Sequence, residues 1–340
     1  MPRRLRFTRE GRVFVLATLG VGAAAVNTGN NLLYLVLGLL LSLIVLSGIL
    51  SEAVLRDVRV SRRLPKRAFR GSPALIELAL ENTKTLVPSL SVELEDEIEV
   101  DGVPIEQGKY RCYFLKVEPG AEERASYAYT PQKRGLQRMR AVRVRTRFPF
   151  GLFDKWRTIP LEEDLVVFAQ LAPYAPPSFA LGMRGADAPS AVKGAGQEVD
   201  GVREYVSGDE ARAIHWRRSA TLDRIVVRDR RRDAARVVVI LIDELRPEGA
   251  DDGWDARYER MLSEAATCAS RVLERGGSVE VVARGGRSPV VPAGQPPDAA
   301  WRFLALLDPL TGEAPELPRA RGAVVRFTVP GVSSFARGAA

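Results

Sequence analysis

Residues 13–51 read VFVLATLGVGAAAVNTGNNLLYLVLGLLLSLIVLSGILS, a stretch without one charged side chain. Only Asn27, Thr28, Gly29, Asn30 and Asn31 interrupt the apolar run, and a cluster so rich in turn formers reads as the bend of a hairpin. Leu32 to Leu50 is mostly Leu, Ile and Val, close to the ~20 residues needed to cross a hydrocarbon layer of about 30 Å. Val13 to Val26 is shorter and spans only with Gly11, Arg12 and the Asn-rich bend at the interface; a buried or re-entrant helix is its other reading. The expectation is a transmembrane helical hairpin over residues 1–51, with helices at about 11–28 and 31–51.

Charge supports this. The chain of 340 residues carries a net +8. Residues 1–12 hold a net +4 (Arg3, Arg4, Arg6, Arg9 and Arg12 against Glu10), and residues 51–70 a net +5 (Arg56, Arg59, Arg62, Arg63, Lys66, Arg67 and Arg70 against Glu52 and Asp57). Together they exceed the surplus by one, so the rest sums to −1 and holds no basic domain of the nucleic-acid-binding kind. Two basic flanks around an uncharged hairpin place both on one side, which the positive-inside rule makes the cytoplasm. A cleaved signal peptide over residues 1–26 is the rival layout, since it is also Arg-rich and then apolar. A cytoplasmic location suits a chain whose only cysteines, Cys112 and Cys268, lie far apart.

Beyond the hairpin the period changes to two. Leu90, Val92 and Leu94 alternate with Ser91, Glu93 and Glu95, and Val142, Val144, Thr146 and Phe148 alternate with Arg143, Arg145 and Arg147. Further runs at Ala74–Leu80, Tyr110–Val117, Ser126–Thr130 and Leu165–Phe168 predict an antiparallel β-sandwich over 52–171. The row of arginines reads as a solvated strand face rather than a binding stripe. Residues 172–196, rich in Pro, Gly, Ala and Ser, read as a linker or mobile loop. In 197–340, Val237–Ile242 is a buried-strand pattern ending in Asp243 and Glu244. A helical pattern follows over Ala256–Arg275, then a strand at Val279–Ala283. A helix capped by Asp298 and a strand at Ala323–Val329 complete an α/β domain.

The densest polar segment is Gly196–Arg236. Here Glu198, Arg203, Tyr205, Gly208, Asp209, Arg212, Trp216, Ser219, Ala220 and Arg228 resemble the signature of the bacterial domain of unknown function 58 (DUF58) family. That signature is an acid, then Arg-x-Tyr, Gly-Asp, an Arg, a Trp and a Ser-Ala pair. The likeness extends to Asn30–Tyr34, to Arg134 and Gly135, and to Phe148–Phe153, so it covers nearly the whole chain. His215 departs from the family, where an acid is commoner. The resemblance implies a membrane-anchored protein with a truncated von Willebrand factor type A-like (Rossmann-like) C-terminal domain, often encoded beside MoxR-type AAA+ ATPases. It implies no particular reaction.

A von Willebrand type A domain holds Mg²⁺ through Asp-x-Ser-x-Ser after its first strand, oxygens suited to a hard ion. The matching positions here are Asp243, Leu245 and Pro247, and two of them offer no side-chain oxygen. Asp251, Asp252 and Asp255 read as a solvated acidic loop. One histidine and two cysteines do not make a zinc site, and no glycine run has the Gly-Lys-Ser ending of a P-loop. The expected function is a membrane-anchored, noncatalytic adaptor or scaffold without cofactor, metal, nucleic acid or small-molecule substrate. It would dock a partner, a MoxR-type AAA+ ATPase, in protein-complex assembly or cell-envelope maintenance. The partner-binding set is Glu198, Arg203, Tyr205, Gly208, Asp209, Arg212, Trp216, Ser219 and Arg228. The alternative is an enzyme using Asp209, His215 and Glu204 as acid and base.

Overall fold

A computed structural model describes residues 4–106, 108–177, 180, 202–205, 214, 216–228, 237–318, 320, 323–329 and 335–337. The chain divides into two compact units, Met1–Gln170 and Leu171–Ala340. The first begins with β1 (Arg4–Phe7), α1 (Arg9–Thr28) and α2 (Asn31–Leu55). It continues with β2 (Val58–Arg63), β3 (Ala68–Phe69), β4 (Ala74–Asn82), β5 (Ser89–Val100), β6 (Val103–Pro104), β7 (Arg111–Val117), β8 (Glu122–Tyr129), β9 (Gly135–Thr146) and β10 (Phe153–Phe168).

Each helix of the hairpin has side-chain and backbone stops. Thr8 caps α1 by accepting from the Gly11 amide, and Gly29 ends it at φ 62°, a left-handed turn that glycine adopts without a Cβ penalty. Asn30 then caps α2 by accepting from Leu32. Both helices are long and apolar enough to cross a membrane, with mean hydropathy 1.3 and 2.7. The structure lengthens both beyond expectation. α1 starts at Arg9, because Thr8 is fixed to the Gly151 and Leu152 carbonyls, and α2 runs to Leu55, because Val54 and Leu55 are buried in the β core. Beyond the last turn, the Lys84 ammonium donates to the Ala53, Val54 and Arg56 carbonyls at 2.9, 3.1 and 3.2 Å. Those are carbonyls a helix end leaves without intrahelical partners.

Seven strands form one sheet in the order β1-β10-β9-β5-β6, with β3 joined parallel to β10 and β7 antiparallel to β5. A second, antiparallel sheet is β2-β4-β8. Their inner residues, among them Ile76, Leu78 and Leu80 from β4 and Val92, Leu94, Val142 and Val144 from β5 and β9, share one core. β1 was not foreseen: the basic N-terminal flank is built into the sheet edge, Arg4 opposite Trp156 and Phe7 opposite Phe153.

The arginine row is not the solvated face expected of it. Arg143 is only 19% exposed and pairs with Glu97 at 2.8 Å and Glu95 at 3.8 Å. Arg145 pairs with Asp154 and, at 3.8 Å, with Glu93; only Arg147 stays mostly in water. The acids stand on the neighbouring strands β5 and β10, and cross-strand pairing, invisible in a single strand's period, neutralises the row.

The second unit runs β11 (Val202–Glu204), α3 (Trp216–Leu222), β12 (Val226–Arg228), β13 (Val237–Ile242), β14 (Leu245–Arg246), α4 (Trp254–Glu274), β15 (Ser278–Ala283), β16 (Gly286–Arg287), α5 (Asp298–Ala305), β17 (Leu310–Thr311), β18 (Ala323–Phe327) and β19 (Phe335–Arg337). Its main sheet has the order β16-β15-β13-β18-β19, in which β13 pairs parallel with both β15 and β18. The Trp301 indole of α5 donates to the Ala266 carbonyl of α4, joining the two helices. Val239, Leu241, Val282 and Val324 form one buried cluster, against which Leu317 and Ala320, between β17 and β18 in sequence, pack. Asp298 is the first residue of α5 rather than its cap; Pro297 holds the cap position. Residues 178, 179 and 181–196 of the expected linker lie outside the described residues.

Candidate functional site

The described part of the signature segment contains one small unit. β11 and β12 pair antiparallel, Arg203 opposite Val227, and the Tyr205 amide extends the pairing to the Ile225 carbonyl at 3.0 Å. α3 lies between them in sequence. Ser219, on α3, is buried and accepts from the Val226 amide at 2.9 Å, so its hydroxyl pegs the helix to the strand that follows. That gives Ser219 a positioning role.

Around this peg the large apolar side chains are exposed. Trp216 is 66% accessible, and Tyr205, Leu222 and Ile225 are exposed as well. An indole left in water is uncommon in a chain able to bury it, and exposed aromatic and aliphatic side chains are the residue types that serve as binding anchors. Of the residues singled out from the sequence, Tyr205, Trp216 and Ser219 fall on this unit, as do the backbones of Arg203 and Arg228. Glu198, Gly208, Asp209 and Arg212 lie outside the described residues, as do Asp209 and His215 of the enzymatic alternative. Leu222 and Ile225 were missed. Ile225 belongs to the run Ile225-Val226-Val227, and a run of three apolar residues does not reveal which one faces water.

At the carboxyl end of β13 in the parallel part of the sheet stands Asp243, the residue matched in sequence to the first metal ligand of a von Willebrand type A domain. Its amide donates to the Phe327 carbonyl at 2.9 Å. Its two carboxylate oxygens accept from Arg284 at 2.9 Å and Arg326 at 3.2 Å. Burial alone would raise the Asp243 carboxyl, but the hydrogen bonds and charge of Arg284, aided by Arg326, outweigh it and hold the group below its usual value. A divalent cation does not fit here: two guanidiniums occupy the carboxylate, and Leu245 and Pro247 contribute no oxygen. Among the described residues no three His, Cys, Asp or Glu side chains converge. Asp251 pairs with Arg257 at 2.6 Å and Asp255 with Arg246 at 3.3 Å, so the acidic loop is tied to arginines. Next to Asp243, Glu244 is fully buried and accepts from the Gly285 amide at 2.8 Å, fixing the β13 end against the turn into β16.

Both thiols are buried and shielded. Burial, together with the nearby Asp96 carboxylate, pushes Cys112 up to about 11, and burial pushes Cys268 up to about 12.

No curated protein matches the chain. Among solved structures it is similar to the CARDB domain of the PF1109 protein from Pyrococcus furiosus, in solution (14% identity, 33% of this chain and 94% of that one, TM-score 0.22). The crystal structure of that domain in complex with di-metal ions is 15% identical (33% and 87%, TM-score 0.22). A beta-glucosidase from Listeria innocua in complex with gluconolactone is 15% identical (33% and 16%, TM-score 0.23). At these TM-scores nothing about this chain follows from the likeness. Residues 201–329 match the family model described as "Protein of unknown function DUF58".

Proposed function

Taking residues 201–329 as what they are, a member of the DUF58 family, we propose that the chain is a membrane-anchored, noncatalytic adaptor that docks a MoxR-type AAA+ ATPase. The observation that carries this reading is the exposed set Trp216, Tyr205, Leu222 and Ile225 on the pegged β11–α3–β12 unit. In sequence, the charged motif residues Glu198, Arg203, Asp209, Arg212 and Arg228 flank Tyr205 and Trp216, and charged residues bordering apolar anchors are typical of protein interfaces. The arginine-filled Asp243 site fits the same reading, since a truncated von Willebrand type A-like domain without its ion is left with surfaces rather than metal chemistry.

The two apolar helices support the anchor. A signal-peptide reading is disfavoured by β1, because cleavage near Val26 would strip a paired strand and the Thr8 contacts from the β10 edge. Basic residues on both flanks favour a two-pass protein of the inner (cytoplasmic) membrane, with both termini and the soluble domains in the cytoplasm.

Co-purification tests the docking. Trp216→Ala, Arg203→Ala or Asp209→Ala should reduce recovery of the ATPase at least tenfold from solubilised membranes while leaving the thermal unfolding midpoint unchanged. Undiminished recovery in all three would refute docking through this segment. Lowered midpoints in all three would make it merely structural.

A further inference from the structure

We propose that the β domain of the first unit is seated in the lipid headgroup layer of an anionic bilayer, with Phe150 as its interfacial anchor, rather than hanging below the membrane on a tether. The proposal rests on the anchoring reading of α1 and α2. It concerns a surface remote in sequence from the docking segment.

The height of the seat follows from contacts within the first unit. In the hairpin, a Cβ on Gly22 of α1 would meet Leu37 of α2 at 3.5 Å, which fixes the antiparallel register and sets Gly11 level with Gly48. Two β-domain residues reach that level. The Leu152 carbonyl lies so close to Gly11 that a Cβ there would fall on top of it, and the Lys155 ammonium donates to the Gly48 carbonyl at 3.3 Å and to Glu52 at 2.8 Å. The uncharged stretch begins at Val13, two residues or ~3 Å along the helix from Gly11. A headgroup layer is about 5–7 Å thick on each side of the hydrocarbon. The rim of the β domain therefore lies inside it.

The side chains at this level suit such a layer. Phe150, two residues from Leu152, is 50% exposed. Its turn is clamped to α1 by the Thr8 hydroxyl, which donates to the Gly151 carbonyl at 2.6 Å. Phe7, at the end of β1, is exposed and packs on Phe153, ring centroids 5.1 Å apart. Arg9 and Arg12 of α1 bring positive charge to the same rim, and Arg147, just before the turn, adds a mostly exposed guanidinium 3.6 Å from Asp154. On the α2 side a cleft of about 530 Å³ grades from Val45 and Ile49 to Arg56 and Lys155, apolar toward the membrane centre and cationic away from it. Aromatic rings among basic residues at a helix entry are the composition of membrane–water interfaces, and anionic lipids add attraction for the arginines.

Nitroxide labels at three single sites test this in the full chain, reconstituted into phosphatidylethanolamine/phosphatidylglycerol vesicles. Native Cys112 and Cys268 are buried, so labels go to Phe150→Cys, to Leu39→Cys on the exposed side of α2, and to Leu115→Cys on the exposed face of β7. The readout is collision with oxygen, enriched in lipid, relative to collision with a water-soluble nickel chelate. The expected ratio at 150 exceeds that at 115 severalfold and falls below that at 39. A ratio at 150 equal to that at 115, with 39 still lipid-like, overturns the seat while leaving the anchor standing. Shielding of 150 from both agents means protein covers the turn, and likewise overturns it. An aqueous ratio at 39 overturns the anchoring reading and the seat together.

Discussion

Asp243 is where one side chain decides between two chemistries. With Arg284 and Arg326 on its oxygens it is an acid with a depressed pKa, so the folded protein binds fewer protons there than the unfolded chain. The stability it contributes is complete above the unfolded value near 4 and is lost as pH falls through the lower folded value. Asp243→Asn should cost about 1–2 kcal/mol at neutral pH, discounted because Arg326 is 40% exposed. It should also flatten the acid side of a stability–pH curve below about pH 4. An unchanged acid limb in urea melts would show that the pair is idle. The sequence displayed Asp243 and the missing oxygens at 245 and 247, but not the arginines, which come from 41 and 83 residues away.

Among the elements, those with a clean period were legible. The hairpin helices, the strands at β4, β5 and β9, and the β13–α4–β15–α5–β18 order follow from apolar spacing alone. What the period could not show is the polar interior of the sandwich. Arg62 of β2 and Asp96 of β5 have fully buried side chains joined through two hydrogen bonds, and the Tyr127 hydroxyl of β8 donates to Asp96 at 2.6 Å. Against β5, β9 carries an extra residue at Arg140, and against β9, β10 carries one more, with Leu161 and Glu162 standing where β9 has only Arg140. Beside that bulge the Met139 and Leu161 carbonyls accept from Arg62. A local sequence reading assigns Arg62 to the basic flank, since nothing near it announces an acid 34 residues on. Asp96→Ala should cost about 3–5 kcal/mol by stranding a buried guanidinium. Arg62→Met with Asp96→Leu should recover much of that loss. Equal unfolding midpoints for Asp96→Ala and the parent in thermal melts would contradict the burial.

At the scale of the whole molecule, the candidate site was legible as a motif and not as a surface. Arg203, Tyr205, Trp216 and Ser219 were marked by residue type, yet that Ser219 turns inward to peg β12 while Trp216 turns outward depends on how α3 lies against β12. Orientation is likewise a property of the entire chain. A fluorescent protein fused after Ala340 should mature and fluoresce, and alkaline phosphatase fused there should be inactive, as a cytoplasmic C-terminus requires; active phosphatase would reverse the topology. The most direct measurement is the affinity of the reconstituted full chain for the MoxR-type ATPase of its own cell, taken by titration on vesicles. The docking account predicts saturable binding that weakens at least tenfold with Trp216→Ala at unchanged thermal stability; no binding, or binding indifferent to that substitution, would contradict it.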